Sequence, residues 1–267
     1  MAGVKWLRMS LLAAWLIIVL SVTPAMSAND VAPVMFGYVE VLPSDAARSE
    51  ALKVEAIQSI AQRYRITLAD RTGRWSLDEV LSVQRALAAM ESRFAELADR
   101  DAGRAFRLLF QEVTFYRDQA YRNNIAYAIG GTIGFYDTWA RLDEMARAFY
   151  LAHELGHIWD TRTSALHLTM GEISQAFAAN VGAFVDEKGR YQLGGEFPGW
   201  AASRALRHRS DSAAEDWAES LAAVMVPEFE SSVRHIGRAR FTEVQRRVNE
   251  WVTYAETRIR RPARGVE

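Results

Sequence analysis

Cysteine is missing from this chain altogether. That excludes disulfides, thiolate nucleophiles and cysteine metal ligands, and leaves His, Asp and Glu as the side chains able to build a metal site. Net charge is nearly absent as well: 32 basic residues stand against 33 acidic ones, so nothing favours a nucleic-acid partner and none is expected. Histidine is scarce, with five in 267 residues, which gives weight to any two that fall at ligand spacing. Long apolar runs are confined to the start, where Leu11 to Val22 is too short for a comfortable membrane span. Lys5 and Arg8 precede that run and the small residues of Pro24-Ala25-Met26-Ser27-Ala28 follow it, the pattern of a secretory signal peptide over residues 1–28. Without a cysteine at the cleavage point no lipid can be attached there. The sequence thus predicts a secreted or periplasmic, mildly acidic protein with no stable membrane insertion once the signal is removed.

The chain of 267 residues is half hydrophobic, enough for one substantial domain with an appendage. Val34 to Val41 is rich in β-branched and aromatic residues and reads as a strand, and Ser44-Asp45 can cap a helix running towards Tyr64. Residues 29–72 carry no obvious chemistry and read as an N-terminal extension, with the folded domain expected at 73–267, beginning near Gly73. Ser76 followed by Glu79 forms a capping box for a helix through about Leu97. A short helical piece spans Arg104 to Leu109, and Glu112 to Arg117 reads as a strand. Ile125 to Ile129 and Thr132 to Tyr136 flank Gly130-Gly131 as a hairpin. Asp137 or Thr138 would cap the next helix. Met170 to Val185 and Phe241 to Arg261 read as further helices, and Gly189 to Trp200 as a loop.

The most informative stretch is His153-Glu154-Leu155-Gly156-His157, late in a helix-like run from Trp139. Residues four apart share one helix face, so His153 and His157 can present two imidazoles to one zinc ion. Glu154 is offset from that pair, where it can take a proton from water at the metal. Leu142, Met145, Ala146, Phe149, His153 and His157 form an approximate 3/4 stripe facing the core. Gly156 costs about 1 kcal/mol relative to alanine inside a helix, a departure expected where backbone must approach something closely.

A catalytic zinc needs a third protein ligand and an open position. The longer H-E-x-x-H-x-x-G-x-x-H form is absent, because Asp160 and Thr163 occupy the later positions. The third ligand must then be an acid from a later helix. Glu215 and Glu219 lie one turn apart in Glu215-Asp216-Trp217-Ala218-Glu219, with no Lys or Arg nearby in the helix to relieve their repulsion. Glu215 is the proposed ligand, and Glu219 the acceptor that orients a ligand histidine. Two alternatives stand beside this. Ser212 with Glu215 also fits a capping box, so Glu215 can serve only as a cap, and Asp216 or Glu219 can replace it as ligand.

Taken together, His153-Glu154-Leu155-Gly156-His157 and the Glu-x-x-Ala-Glu helix about sixty residues on resemble the gluzincin-type zinc metallopeptidases, particularly the lethal-factor-like zincins. The resemblance covers roughly Gly73 to Met225. It implies an α+β, zincin-like fold, mainly helical with a small sheet beside the HExxH helix. It further implies zinc held by His153, His157 and Glu215, with Glu154 as general base and a protein or peptide as substrate. In that group a tyrosine upstream of the ligand glutamate stabilises the oxyanion; here His208 stands at the comparable spacing, with Tyr191 further off. The strand beside the metal helix commonly binds extended substrate, which makes Thr132 to Tyr136 the expected substrate edge. The competing reading is a catalytically silent zincin scaffold that binds a partner protein, and a third keeps the hydrolysis but directs it at a non-protein amide.

Overall fold

The computed structural model of the chain describes residues 44–165, 173–193, 212–226 and 230–260. The expected signal peptide, the strand expected at Val34 to Val41, and His208 lie outside them. Helix α1 (Asp45–Tyr64) opens at Ser44, whose hydroxyl accepts the Ala47 N–H at 3.3 Å. Strand β1 (Thr67–Asp70) follows, then α2 (Leu77–Ala98), which carries the complete Ser76/Glu79 capping box. Next come α3 (Gly103–Phe110), β2 (Thr114–Arg117), β3 (Ala126–Ile129), β4 (Thr132–Phe135) and the single turn α4 (Asp137–Ala140). The second half supplies α5 (Glu144–Ala165), α6 (Ile173–Asn180), β5 (Phe184–Val185), β6 (Tyr191–Gln192), α7 (Ala213–Met225) and α8 (Glu230–Arg260), the last interrupted at Gly237. The architecture is α+β: mainly helical, with a small mixed sheet packed against α5. Among the described residues no helix is long and apolar enough to cross a membrane.

The sheet runs β1-β2-β4-β3, with β1, β2 and β4 parallel and β3 antiparallel at one edge. Gly130 and Gly131 take φ of 57° and 86°, the left-handed pair that a two-residue hairpin demands. Phe115, Ile133 and Phe135 bury one face of the sheet under the helices. A line of aromatic contacts then knits the helices together. Phe94 of α2 meets Trp159 of α5 at 5.8 Å, Trp159 meets Trp217 of α7 at 5.2 Å, and Trp217 meets Phe177 of α6 at 5.5 Å.

Several expectations change here. The extension read as 29–72 is cut short, because Pro43–Glu267 is one compact unit. Its strand β1 is hydrogen-bonded to β2, and Ile60, Tyr64 and Ile66 are buried in the common core. The expected substrate edge, Thr132 to Tyr136, holds β4 and lies inside the sheet; among the described residues the edge strands are β1 and, beside β4, β3. The helix that carries His153 and His157, α5, starts at Glu144 rather than near Trp139. Its first turn is capped by Asp143, which accepts the Ala146 N–H at 2.8 Å, while Asp137 is taken by Arg117 and the Ala120 N–H. Met145, expected in the core-facing stripe, is exposed at the helix start. Within the apolar run read as a helix from Met170 to Val185, the described residues 173–185 hold a two-turn helix and then the first strand of a small hairpin whose partner, β6, lies in the expected loop.

Candidate metal centre

Helix α5 is buried around most of its circumference from Phe149 to Asp160, so His153 and Glu154 sit in the interior with little contact with water. Helix α7 crosses it at the motif itself. A Cβ built on Gly156 would stand 2.9 Å from Ala218 Cα and 3.2 Å from Ala218 Cβ, closer than two packed carbons tolerate. The Trp217 indole N–H donates to the Gly156 carbonyl at 3.0 Å, which sets the register of the crossing. The helical glycine and the alanine of Glu-x-x-Ala-Glu are therefore two halves of one close approach, and that approach brings Glu215 to the histidines.

His153 Nε2 and His157 Nε2 lie 3.1 Å apart. Glu215 places Oε2 at 3.4 Å from the first and Oε1 at 3.5 Å from the second. Four ligands at 2.0–2.1 Å in a tetrahedron are separated by about 3.3–3.4 Å, so the spacings of the two imidazole nitrogens and the Glu215 carboxylate are of the size a small metal ion would need. Among the described residues this is the group of acids and histidines able to hold a metal ion. Ser212 caps α7 with its own hydroxyl, accepting the Glu215 N–H at 3.3 Å, so the backbone of Glu215 serves the cap while its carboxylate faces the imidazoles. Asp216 points elsewhere, into an ion pair with Arg240. Glu219 stands behind His153, with Oε1 at 3.8 Å from Nδ1, and that buried nitrogen makes no hydrogen bond.

Burial and close charges shift all three titratable groups of the motif. Burial pulls the His153 imidazolium down, but the Glu215 contact and the charges of Glu219 and Glu154 outweigh it and hold its pKa up at about 9. Burial, with the His153 charge beside it, drives His157 down to about 4. Glu154 is pushed up to about 7 by burial, the His153 charge opposing and the Glu215 and Glu219 charges assisting. Three acids and two imidazoles share one water-poor corner, and a divalent cation is the simplest group that satisfies them together. The donor set of two nitrogens and one carboxylate suits zinc.

A cavity of about 590 Å³ opens on this corner. His153, Glu154, His157, Glu215 and Glu219 line one wall, and strand β3 with Asn123 and Asn124 lines the other. Tyr191, one of the two expected oxyanion donors, is not placed there. Its hydroxyl donates to Asp216 at 2.9 Å on the far side of α7, and burial together with that carboxylate raises its pKa. The sequence reading missed Tyr150, which lines the cavity one turn before His153; its spacing of three and four from His153 and Glu154 was the available signal. Asp160 also reaches the cavity wall and accepts the Ser174 N–H at 2.9 Å, capping α6.

No protein-family model matches the chain, and no curated protein matches it. Fold and site define it at one level: an α+β protein with a partly buried His-His-Glu group able to hold a metal ion.

Proposed function

We propose that this protein is an exported zinc-dependent metallopeptidase. The observation that carries the reading is the convergence of two imidazole nitrogens 3.1 Å apart with the Glu215 carboxylate, one oxygen 3.4 Å from His153 and the other 3.5 Å from His157, with Glu154 beside them in the wall of an open cavity. Zinc held there would supply Lewis acidity, making a water easier to deprotonate and polarising the scissile carbonyl. The chain's own part begins with Glu154. Its carboxylate, raised to about 7, accepts the proton of the attacking water and returns it to the leaving nitrogen. Glu219 faces the outer nitrogen of His153 and fixes which nitrogen is turned to the metal.

Strand β3 supports a peptide substrate. The Tyr136 N–H donates to the Ile125 carbonyl, so in this antiparallel pair Ile125, Tyr127 and Ile129 turn their backbone groups inward. Ala126 and Ala128 turn theirs out, to the free edge, where an extended chain can add as a further strand along the cavity.

Metal analysis combined with Glu154→Gln tests the reading. The variant is expected to keep its zinc while peptide hydrolysis falls about 10²–10⁴-fold, the usual contribution of a general base. Zinc-free wild-type protein, or a variant as active as wild type, would defeat it.

A further inference from the structure

The residue after Glu215 is held by a dense set of buried bonds. The side chains of Asp216 and Arg240 are each 1% exposed, and Arg240 grips the carboxylate with two parallel bonds, Nε to Oδ1 at 2.8 Å and Nη2 to Oδ2 at 2.9 Å. The Tyr191 hydroxyl donates to Oδ2 at 2.9 Å, and the Ser220 hydroxyl reaches Oδ1 at 3.4 Å. Arg240 also donates to the Leu193 carbonyl at 2.6 Å. One buried carboxylate therefore joins α7, α8 and the end of β6.

The location matters because Glu215 sits in the first turn of α7. First turns lack intrahelical partners for their N–H groups and are the part of a helix that opens most readily. Ser212 supplies one cap at 3.3 Å, which holds the end of the turn without fixing its rotation. Consecutive residues of a helix project about 100° apart, so clamping Asp216 on the side facing α8 sets the direction in which Glu215 emerges. A buried ion pair adds little net stability over an apolar pair of similar volume, but it does restrict geometry.

We propose that Asp216, locked by Arg240 and Tyr191, is a positioning residue that fixes the rotation of the first turn of α7 so that Glu215 meets His153 and His157. The inference rests on reading those three residues as metal ligands.

The test separates positioning from plain stability by replacing the pair together, Asp216→Leu with Arg240→Met, so that no charge is left buried alone. Zinc affinity is measured by competition with a chromophoric chelator, alongside amide exchange over Ala213 to Trp217 and melting of the metal-free chain. The expected result is a zinc Kd weakened about 10–100-fold and faster exchange in that turn, with the metal-free melting temperature unchanged. Asp216→Asn, which keeps the shape and one acceptor oxygen but turns its amide N–H₂ towards the donors of Arg240 or Tyr191, is the second variant should the double one fail to fold; a loss of about tenfold is expected from it, towards the lower end of that range. Wild-type zinc affinity in either folded variant would overturn the proposal. Wild-type protein that binds no zinc would instead overturn the metal reading, and this inference with it.

Discussion

At the scale of single residues, Glu215 and Glu219 illustrate how much one helical turn separates two chemically identical side chains. Glu215 reaches both imidazoles, at 3.4 and 3.5 Å, whereas Glu219 approaches only the outer nitrogen of His153, at 3.8 Å. If, as proposed, Glu215 is a metal ligand and Glu219 its histidine's support, the two losses should differ in size. Glu215→Gln is expected to abolish stoichiometric zinc binding at micromolar metal, while Glu219→Gln retains the metal with affinity reduced about 10–100-fold. Equilibrium dialysis of the two variants side by side checks the order, and equal losses would mean that the roles have been misassigned. The sequence alone left this choice open, since a Ser-x-x-Glu cap accounts for Glu215 equally well until the direction of its carboxylate is known.

At the scale of elements, the decisive contact is the crossing of α5 and α7. In an exposed helix, replacing glycine by alanine stabilises by about 1 kcal/mol through backbone entropy. At position 156 the added methyl meets the backbone of Ala218 at 2.9 Å, so the helices must move apart and take Glu215 with them. Gly156→Ala is therefore expected to destabilise by about 1–3 kcal/mol and to weaken zinc binding in parallel, the opposite sign to the propensity effect. Urea unfolding of the metal-free variant reads the first and chelator competition the second; a stabilised variant would show that the crossing has slack.

Strand β3 yields a second element-level prediction. Ala128→Pro removes an outward N–H and leaves the bonds to β4 intact, since proline is tolerated at a sheet edge. It is expected to raise KM for peptides about tenfold with zinc affinity unchanged, a loss comparable to one hydrogen bond to an edge strand. An unaltered KM would place the substrate elsewhere.

The helices were legible in the sequence where local chemistry and tertiary packing agree. Ser76 and Glu79 form their box because both partners lie within one turn, and Gly130-Gly131 turns the hairpin because few other pairs accept two positive φ angles. The misreadings have a common cause. Thr67 to Asp70 and Tyr191-Gln192 are too short to show a two-residue period, and they exist because a neighbouring strand offers bonds. The order β1-β2-β4-β3, which makes β3 rather than β4 an edge, depends on contacts between segments some fifty residues apart. Asp137 was a sound cap by type, yet Arg117 claims it, a competition that no local window reveals.

For the whole molecule, the corner of His153, Glu154 and His157 couples folding to proton binding and, on the proposed reading, to zinc binding. In the metal-free protein His153 has its pKa raised from 6.5 to about 9, so its contribution to stability is fully present below pH 6.5 and is lost as pH rises towards 9. Glu154, raised from 4.5 to about 7, acts with the same sign over a lower window. His157 acts oppositely: its pKa falls from 6.5 to about 4, so protonating it on acidification below 6.5 costs stability. Between pH 7 and 8.5 the first residue dominates, and the metal-free chain should lose melting temperature across that interval. Zinc requires His153 deprotonated, so at pH 7 binding must expel a proton that at pH 8.5 is more easily given up. Zinc-induced stabilisation should therefore grow with pH. With free zinc at a hundred times its Kd the gain is about 2.7 kcal/mol, or roughly 5–10 °C for a domain of this size. Thermal scans at pH 7.0, 7.5, 8.0 and 8.5, with chelator and with buffered zinc, measure the difference at each point. A gap that stays level or narrows as pH rises would show that the proton on His153 is not in competition with the metal, and that the two imidazoles and Glu215 do not act on a shared ion.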